Sequence, residues 1–229
     1  MLNVADISVA YNQSQVIRGL SFAANANETV AVMGRNGMGK TTLFKALIGL
    51  LPLRGGSISV DGKDVSHDES FRRVAKGIAY VPQGRMIFPT LSVEENIQTG
   101  LENAKERRIP DEIYALFPVL FDMRNRKGGN LSGGQQQQLA IARALVSDPK
   151  VLLLDEPTEG IQPSIIKDIA KALNEIRKLR NITIIVSEQV LSFALEVADR
   201  LFVIESGQFV YEGTRADVDH NRIKQFLSV

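Results

Sequence analysis

Short apolar runs recur along this chain, separated by polar and glycine-rich segments. Most of these runs are rich in β-branched residues and are bounded by turn residues, as strands are. The predicted strands are residues 2–9, 30–33, 57–60, 78–81, 151–154, 182–186 and 201–204. The later runs lack polar alternation, which is typical of strands buried on both faces. The pattern therefore predicts an α/β fold with a mainly parallel sheet.

Helical periodicity marks residues that follow the second predicted strand and the fifth. A helix is predicted at residues 41–50, with Gly49 near its end, directly after a glycine-rich loop. A second helix carries an apolar stripe with Ser164 as its predicted N-cap. The stripe consists of Ile165, Ile169, Leu173 and Ile176. This spacing places the stripe on one helix face and predicts core contact rather than a site.

The middle of the chain differs in character from its two ends. Residues 84–148 read as mostly helical, interrupted by Pro89, Pro110 and Pro118. We therefore expect a single domain over residues 1–229, with a core that contains the sheet at 1–83 and 149–229 and a helical subdomain at about 84–148. Near the end, Ser206-Gly207 predicts a hairpin between two short strands.

Composition narrows the class of protein. The chain has 229 residues, is 44% hydrophobic and 23% charged, and carries a net charge of +1. Such a balance gives no field for nonspecific nucleic-acid binding, so no nucleic-acid partner is expected. Cysteine is absent, and no run approaches eighteen apolar residues. Any membrane association is therefore expected to be peripheral.

Residues 34–41 fit the phosphate-loop pattern G-x-x-x-x-G-K-[ST] at every fixed position. Glycines let backbone N–H groups surround a phosphate, Lys40 reaches the β and γ oxygens, and the Thr41 hydroxyl ligates Mg²⁺. The loop follows a predicted strand and opens a predicted helix, as the motif requires. The residues expected to bind the nucleotide here are Asn36, Gly37, Gly39, Lys40, Thr41 and Thr42.

The apolar run at residues 151–154 is followed by Asp155 and Glu156. A buried parallel strand that ends in a carboxylate places Asp155 at the sheet edge beside the phosphate loop, where it can hold Mg²⁺ through water. Glu156 would face the γ-phosphate and orient or deprotonate the attacking water. Without the phosphate loop, these two acids would read as a surface turn ahead of Pro157.

The pentapeptide Leu131-Ser132-Gly133-Gly134-Gln135 is rare in chains of this length. Its glycines leave the backbone uncovered, and good helix formers follow it. The combination presents helix N-terminal N–H groups, at the positive end of the helix dipole, to an anion. A glycine-rich turn that merely starts a helix is the simpler reading of the pentapeptide alone.

The order of these motifs resembles the nucleotide-binding subunit of ATP-binding-cassette (ABC) transporters over nearly the whole chain. The resemblance implies an ABC ATPase fold with an N-terminal antiparallel β-layer and a helical subdomain, and hydrolysis of ATP with Mg²⁺. It also implies that Tyr11 stacks on adenine with Val16 beside it, and that Gln83 contacts Mg²⁺ and the attacking water. Contacts to the γ-phosphate of ATP on a second ATPase subunit are implied for Ser132, Gly134 and Gln135.

The sequence departs from the family pattern at two positions. Gln162 stands where the loop after Glu156 usually ends in an aspartate, and Gln189 stands where a switch histidine is usual. Gln189 can donate a hydrogen bond to a γ-phosphate oxygen but cannot become cationic. We therefore expect hydrolysis that is slow, or less sensitive to pH between 6 and 8 than in relatives with histidine.

Several segments are similar to importers of branched-chain amino acids and short amides, and most similar to the second ATPase subunit of urea importers. They are the segments at residues 34–42, 81–85, 156–164 and 187–193. The resemblance implies two membrane permease subunits, an indirect solute-binding protein outside the membrane, and a peripheral place on the cytoplasmic face of the inner membrane. The second ATPase subunit is either an identical copy or a sister chain.

The sequence leaves two alternative functions open, as well as the role of one apolar cluster. A soluble ATPase for DNA maintenance or ribosome work shares the motifs, but usually carries a coiled-coil insertion or a second cassette. A non-hydrolysing nucleotide sensor is the other rival, and the presence of Glu156 speaks against it. The apolar cluster from Met86 to Leu91, with Phe88 at its centre, is either a permease contact or the core of the helical subdomain.

Overall fold

The computed structural model describes residues 1–104 and 106–227 and has two sheets within them. The strands are β1 (Leu2–Tyr11), β2 (Ser14–Ala24), β3 (Thr29–Met33), β4 (Gly55–Val60), β5 (Lys63–Asp64), β6 (Ile78–Val81), β7 (Val151–Asp155), β8 (Thr183–Glu188), β9 (Arg200–Glu205) and β10 (Gln208–Thr214). One sheet has the order β2-β1-β4-β5 and is antiparallel. The other has the order β10-β9-β3-β8-β7-β6 and is parallel except for β10. The predicted α/β fold with an N-terminal antiparallel layer is confirmed.

Helices cover the parallel sheet and fill the middle of the chain. They are α1 (Lys40–Ile48), α2 (Ser70–Ala75), α3 (Val93–Gln98), α4 (Asp111–Leu116), α5 (Pro118–Asp122), α6 (Gly133–Leu145), α7 (Pro163–Arg180), α8 (Leu191–Val197) and α9 (His220–Leu227). Two 3₁₀ turns lie at Thr99–Asn103 and Gly128–Asn130. Residues 84–148 contain helices and no strand in their described part. The division into an ATPase core and a helical subdomain stays a prediction.

The central strands are buried on both faces. Every residue of β3, β7 and β8 is buried, which explains their unbroken apolar runs. One core cluster joins the sheet to α6, α7 and α8, and a second joins it to α1 and the antiparallel layer. This arrangement confirms the predicted sheet with cover on both sides. Among the described helices, none is both long and apolar enough to span a bilayer.

Strand β2 was not predicted, because a bulge interrupts its alternation. The pairing of β1 with β2 shifts register twice between Val4 and Val9, and Gly19 in β2 has φ of 65°. A Cβ atom at Gly19 would lie 2.9 Å from an oxygen of Asp6. Apolar side chains therefore return at uneven spacing along β2, and the period of two that marks a strand is lost.

The predicted N-cap of α7 is wrong. Gln162 is the N-cap residue, Pro163 is the first helical residue, and Ser164 lies inside the helix. Proline suits the first helical position because its fixed φ matches the helix and its missing N–H would have no helical partner there. The predicted stripe is confirmed, since Ile169, Leu173 and Ile176 are buried and Ile165 packs against the same core.

Candidate active site

The phosphate loop connects β3 to α1. Gly37 and Gly39 have φ of 81° and 110°, values that side chains other than glycine rarely adopt. Gly34 must also be glycine, because a Cβ atom there would lie 2.7 Å from the carbonyl oxygen of Ile204. The loop leads directly into the first turn of α1, so the N–H groups of that turn face the space above the sheet edge.

Lys40 is the first residue of α1, and its side chain is 3% exposed. Its amine donates to the carbonyl oxygens of Gly34 at 2.7 Å and Arg35 at 2.9 Å, and forms an ion pair with Glu156 at 2.9 Å. The two carbonyls hold the charged amine over the loop. Lys40 therefore lies where a cation can meet a phosphate bound in the loop.

Asp155 ends strand β7 and is 1% exposed. Its carboxylate accepts hydrogen bonds from the Ser187 hydroxyl at 2.6 Å, from the Tyr80 hydroxyl at 3.2 Å and from Thr41. Burial raises the pKa of Asp155, and these hydrogen bonds oppose that rise. The contact with Thr41 brings together two of the three residues predicted to ligate Mg²⁺.

Glu156 follows in a left-handed conformation, with φ of 48°. Its N–H donates to the carbonyl oxygen and the hydroxyl of Ser187, which fixes this unusual backbone. Its carboxylate meets Lys40, the Gln189 amide at 3.1 Å and the Gln83 amide at 3.3 Å. Gln83 and Gln189, two of the residues predicted as catalytic, thus each contact the third, Glu156.

The two glutamine side chains tie Glu156 to neighbouring loops. Gln189 also donates to the Asn36 side chain at 2.8 Å, and Gln83 donates to Glu159 at 3.0 Å. Gln162, by contrast, is the exposed N-cap residue of α7 and makes no side-chain cap bond. Of the two departures from the family pattern, only Gln189 therefore lies at the carboxylate.

A cavity of about 440 Å³ opens beside these residues, and most of the predicted nucleotide ligands line it. They are Val16, Asn36, Gly37, Gly39, Lys40, Thr41, Thr42, Gln83 and Glu156. Tyr11 lies at the end of β1 with 43% of its side chain exposed, outside this lining. Its stacking on adenine stays a prediction.

Ser132 is the N-cap residue of α6 and forms a capping box with Gln135. The Ser132 N–H donates to the Gln135 side chain at 2.9 Å, and the Gln135 N–H donates to the Ser132 hydroxyl at 3.4 Å. Sequence analysis missed this pairing, although the spacing S-x-x-Q is its signature. Ser132, Gly134 and Gln135 do not line the phosphate cavity of their own chain.

Sequence analysis also missed the buried polar residues that support the site. Tyr80 and Ser187 hold Asp155, and Glu188 holds Thr158 through a 2.7 Å hydrogen bond to its hydroxyl. Each lies in or at the end of an apolar strand. No spacing within the strand distinguishes such a residue from ordinary core, so only the polar identity inside an apolar run could have indicated it.

A phosphate loop after β3, carboxylates after β7 and a buried parallel sheet beneath them define a phosphate-loop ATPase. Comparison with known proteins identifies the family. The sequence profile of the ABC transporter family matches residues 17–159. This chain therefore belongs to the ABC transporter family, and it is an ATP-binding, ATP-hydrolysing subunit of such a transporter.

Curated relatives and solved structures agree with this assignment along the whole chain. The chain is 37% identical over 219 residues to the high-affinity branched-chain amino acid transport ATP-binding protein BraG of Pseudomonas aeruginosa, covering 94% of each chain. It is 34% identical to the lipopolysaccharide export system ATP-binding protein LptB of Haemophilus influenzae, covering 95% of this chain and 92% of that one. A crystal structure of a nucleotide-free ATP-binding cassette from an ABC transporter matches with a TM-score of 0.82 and 27% identity, covering 100% of this chain and 95% of that chain.

Proposed function

We propose that this chain drives an importer of the branched-chain amino acid and short-amide group, with urea as the transported substrate. The observation that carries the proposal is the 37% identity to a branched-chain amino acid transport subunit along nearly the whole chain. The segments similar to urea importers, including the one that contains Gln189, narrow the substrate within that group. The 34% identity to a lipopolysaccharide export subunit supports export as the alternative to import.

Uptake measurements distinguish these substrates. A strain that lacks the chain is given back either the wild type or the Glu156→Gln variant, and uptake of labelled urea and labelled leucine is followed. We expect urea uptake to be restored by the wild type alone, with leucine uptake unaffected. Loss of leucine uptake instead would assign the branched-chain substrate, and unchanged uptake of both would contradict an import role in this group.

Within the site, the loop N–H groups and Lys40 bind the phosphates, and Glu156 accepts a proton from the attacking water. Gln189 donates a hydrogen bond to a γ-phosphate oxygen. Thr41, Asp155 and Gln83 supply oxygen ligands that suit Mg²⁺, which neutralises phosphate charge when bound. The described residues contain no group of three or more acidic, histidine or cysteine side chains for a metal, so phosphate and water oxygens would complete its shell.

Ser132, Gly134 and Gln135 act on ATP held by a second ATPase subunit. Ser132 is exposed, and the N-terminus of α6 lies outside its own chain's phosphate cavity. Positive potential at that N-terminus suits a phosphate presented by another molecule. The second subunit is an identical copy or a sister chain.

A groove between β6, the 3₁₀ turn at Thr99–Asn103 and α6 is the proposed contact for a permease subunit. Its cavity of about 490 Å³ is lined by Tyr80, Met86, Phe88, Gly100 and Arg143, among others. Met86 is 68% exposed and Phe88 is 47% exposed, so these two side chains are not core. The turn that carries them begins just after Gln83, which links the groove to the carboxylate of Glu156.

A charged substitution at Phe88 tests whether this groove contacts the permease. We expect Phe88→Glu to abolish copurification with membranes and transport, while basal ATPase activity of the purified chain is kept. Phe121→Glu is the matched control, because Phe121 is 48% exposed but lies away from the groove. Normal transport by the Phe88 variant would remove the groove from the proposal.

A further inference from the structure

Glu188, the last residue of β8, holds Thr158 and has no assigned part in the proposed reaction. Only 2% of it is exposed. One carboxylate oxygen accepts from the Thr158 hydroxyl at 2.7 Å and the Thr158 N–H at 3.1 Å. The other accepts from the N–H groups of Gln189 at 3.0 Å and Val190 at 3.2 Å. A single side chain therefore fixes two separate loops.

Those loops carry groups of the active site. Thr158 lies two residues after Glu156, and Gln189 contacts Glu156 directly. The backbone of Glu188 adds a third connection, because its carbonyl oxygen accepts from the N–H of Gly34 at 3.3 Å. Gly34 begins the phosphate loop, so these three loops of the site meet at Glu188.

Packing alone does not account for an acid at this position. None of the ion pairs among the described residues includes Glu188, and burial raises its pKa against the effect of its four hydrogen bonds. A buried carboxylate without a cation is costly to desolvate. The carboxylate accepts hydrogen bonds from both loops at once, which an apolar side chain cannot do.

We propose that Glu188 is a positioning residue that aims Gln189 at Glu156 and at the γ-phosphate, and holds the loop after Glu156 in register with it. The inference rests on the roles proposed above for Glu156 and Gln189. Glu188 itself does not line the nucleotide cavity. It acts through the N–H of Gln189, whose amide spans Asn36 at 2.8 Å and Glu156 at 3.1 Å.

The amide of Gln189 reaches these two partners from the backbone position that Glu188 fixes. Loss of the anchor at its N–H would let the loop shift, and small misplacements of reacting groups lower rates strongly. ATP binding depends on the phosphate loop and Lys40 rather than on Gln189. The proposal therefore predicts an effect on kcat with little effect on KM for ATP.

The test measures steady-state ATPase activity of the full chain with Mg²⁺ and ATP. Glu188→Gln keeps the size of the side chain but places an NH₂ group against an N–H donor. We expect kcat to fall roughly tenfold or more, with KM for ATP changed less than about twofold. Glu205→Gln is the control, since Glu205 ends the strand β9 of the same sheet but is exposed.

Further variants at Thr158 and Gln189 make the test decisive. Thr158→Val removes one hydroxyl bond to Glu188 and should also lower kcat, whereas Thr158→Ser keeps the hydroxyl and should retain it. Combining Glu188→Gln with Gln189→Ala should give the rate of Gln189→Ala alone. Once the Gln189 amide is absent, a change at Glu188 has no amide left to misplace. If Glu188→Gln is too unstable to purify, the contrast between Val and Ser at position 158 decides.

The outcomes separate the inference from the role of Gln189. Wild-type kcat for Glu188→Gln, or rate losses that multiply in the double variant, would overturn the positioning role while leaving Gln189 in place. If Gln189→Ala itself has the wild-type rate, the proposed role of Gln189 fails and the inference fails with it.

Discussion

At the scale of single residues, the contacts of Glu156 define the chemistry. Its carboxylate lies 2.9 Å from the Lys40 amine and is held from two sides by the amides of Gln83 and Gln189. Lys40 would also meet the phosphates, so ATP binding requires the amine to share or exchange this partner. The same ion pair therefore orders the carboxylate before ATP binds and ties its orientation to the nucleotide.

Removing the charge of Glu156 separates binding from hydrolysis. We expect Glu156→Gln to lower kcat about 100-fold or more, because a positioned general base contributes at least that much. ATP affinity should hold or rise, since Lys40 is released from its ion pair. Phosphate release and nucleotide binding measure the two effects, and Glu196→Gln on the exposed face of α8 serves as control. A variant with the wild-type rate would contradict the assigned base.

We expect Gln189 to determine how the rate responds to pH. Its amide cannot titrate, whereas histidine ordinarily changes charge near pH 6.5. We expect the ratio of the Gln189→His rate to the wild-type rate to change several-fold between pH 6 and 8. The variant gains charge as pH falls, and the nearby Glu156 carboxylate favours that charged form. A constant ratio across this range would show that position 189 does not act on the reaction.

At the scale of elements, Arg73 joins α2 to the end of α1. It is 1% exposed and donates to the carbonyl oxygens of Ala46 at 2.7 Å and Leu47 at 2.9 Å, in the last turn of α1. It also donates to the carbonyl oxygens of Ser66 and Asp68. One guanidinium thus caps the last turn of α1, whose carbonyl groups lack the N–H partners found within a helix.

Loss of this cap should be costly. We expect Arg73→Met to lower the free energy of unfolding by about 3 kcal/mol, because several buried carbonyls lose their donor. Arg72→Met on the exposed side of the same helix should change it by less than about 0.5 kcal/mol. Urea denaturation of both variants provides the comparison. Equal midpoints for the two would show that Arg73 is not a structural cap.

Elements with regular patterns were predictable from the sequence, and irregular ones were not. The buried strands β3, β7 and β8 appear as apolar runs, and α1 follows a recognisable phosphate loop. Strand β2 was missed because of its bulge at Gly19, and α9 was missed altogether. In the site, Lys40, Asp155 and Glu156 were found through motifs. Glu188 was not found, because its partner Thr158 lies 30 residues away in sequence.

At the scale of the whole molecule, the exposed N-cap residue of α6, Ser132, does not line the phosphate cavity of its own chain. Family membership supports a pair of ATPase subunits, and we propose that each subunit completes the ATP site of the other. The groove beside Phe88 then lies on the same turn that leads from Gln83. Closure of the pair could thereby move a permease subunit docked in that groove.

The central claim is that ATP hydrolysis requires Lys40 from one subunit and Ser132 from the other. It is tested most directly by mixing Lys40→Ala and Ser132→Arg variants, each inactive alone, and measuring phosphate release. Random pairing would make half of the pairs mixed, each with one intact site of two, so roughly a quarter of the wild-type rate should return. A mixture of Lys40→Ala with Glu156→Gln should recover nothing, because both defects affect the same half of the site. A first mixture no faster than the sum of its parts, with wild type active in the same assay, would contradict the account.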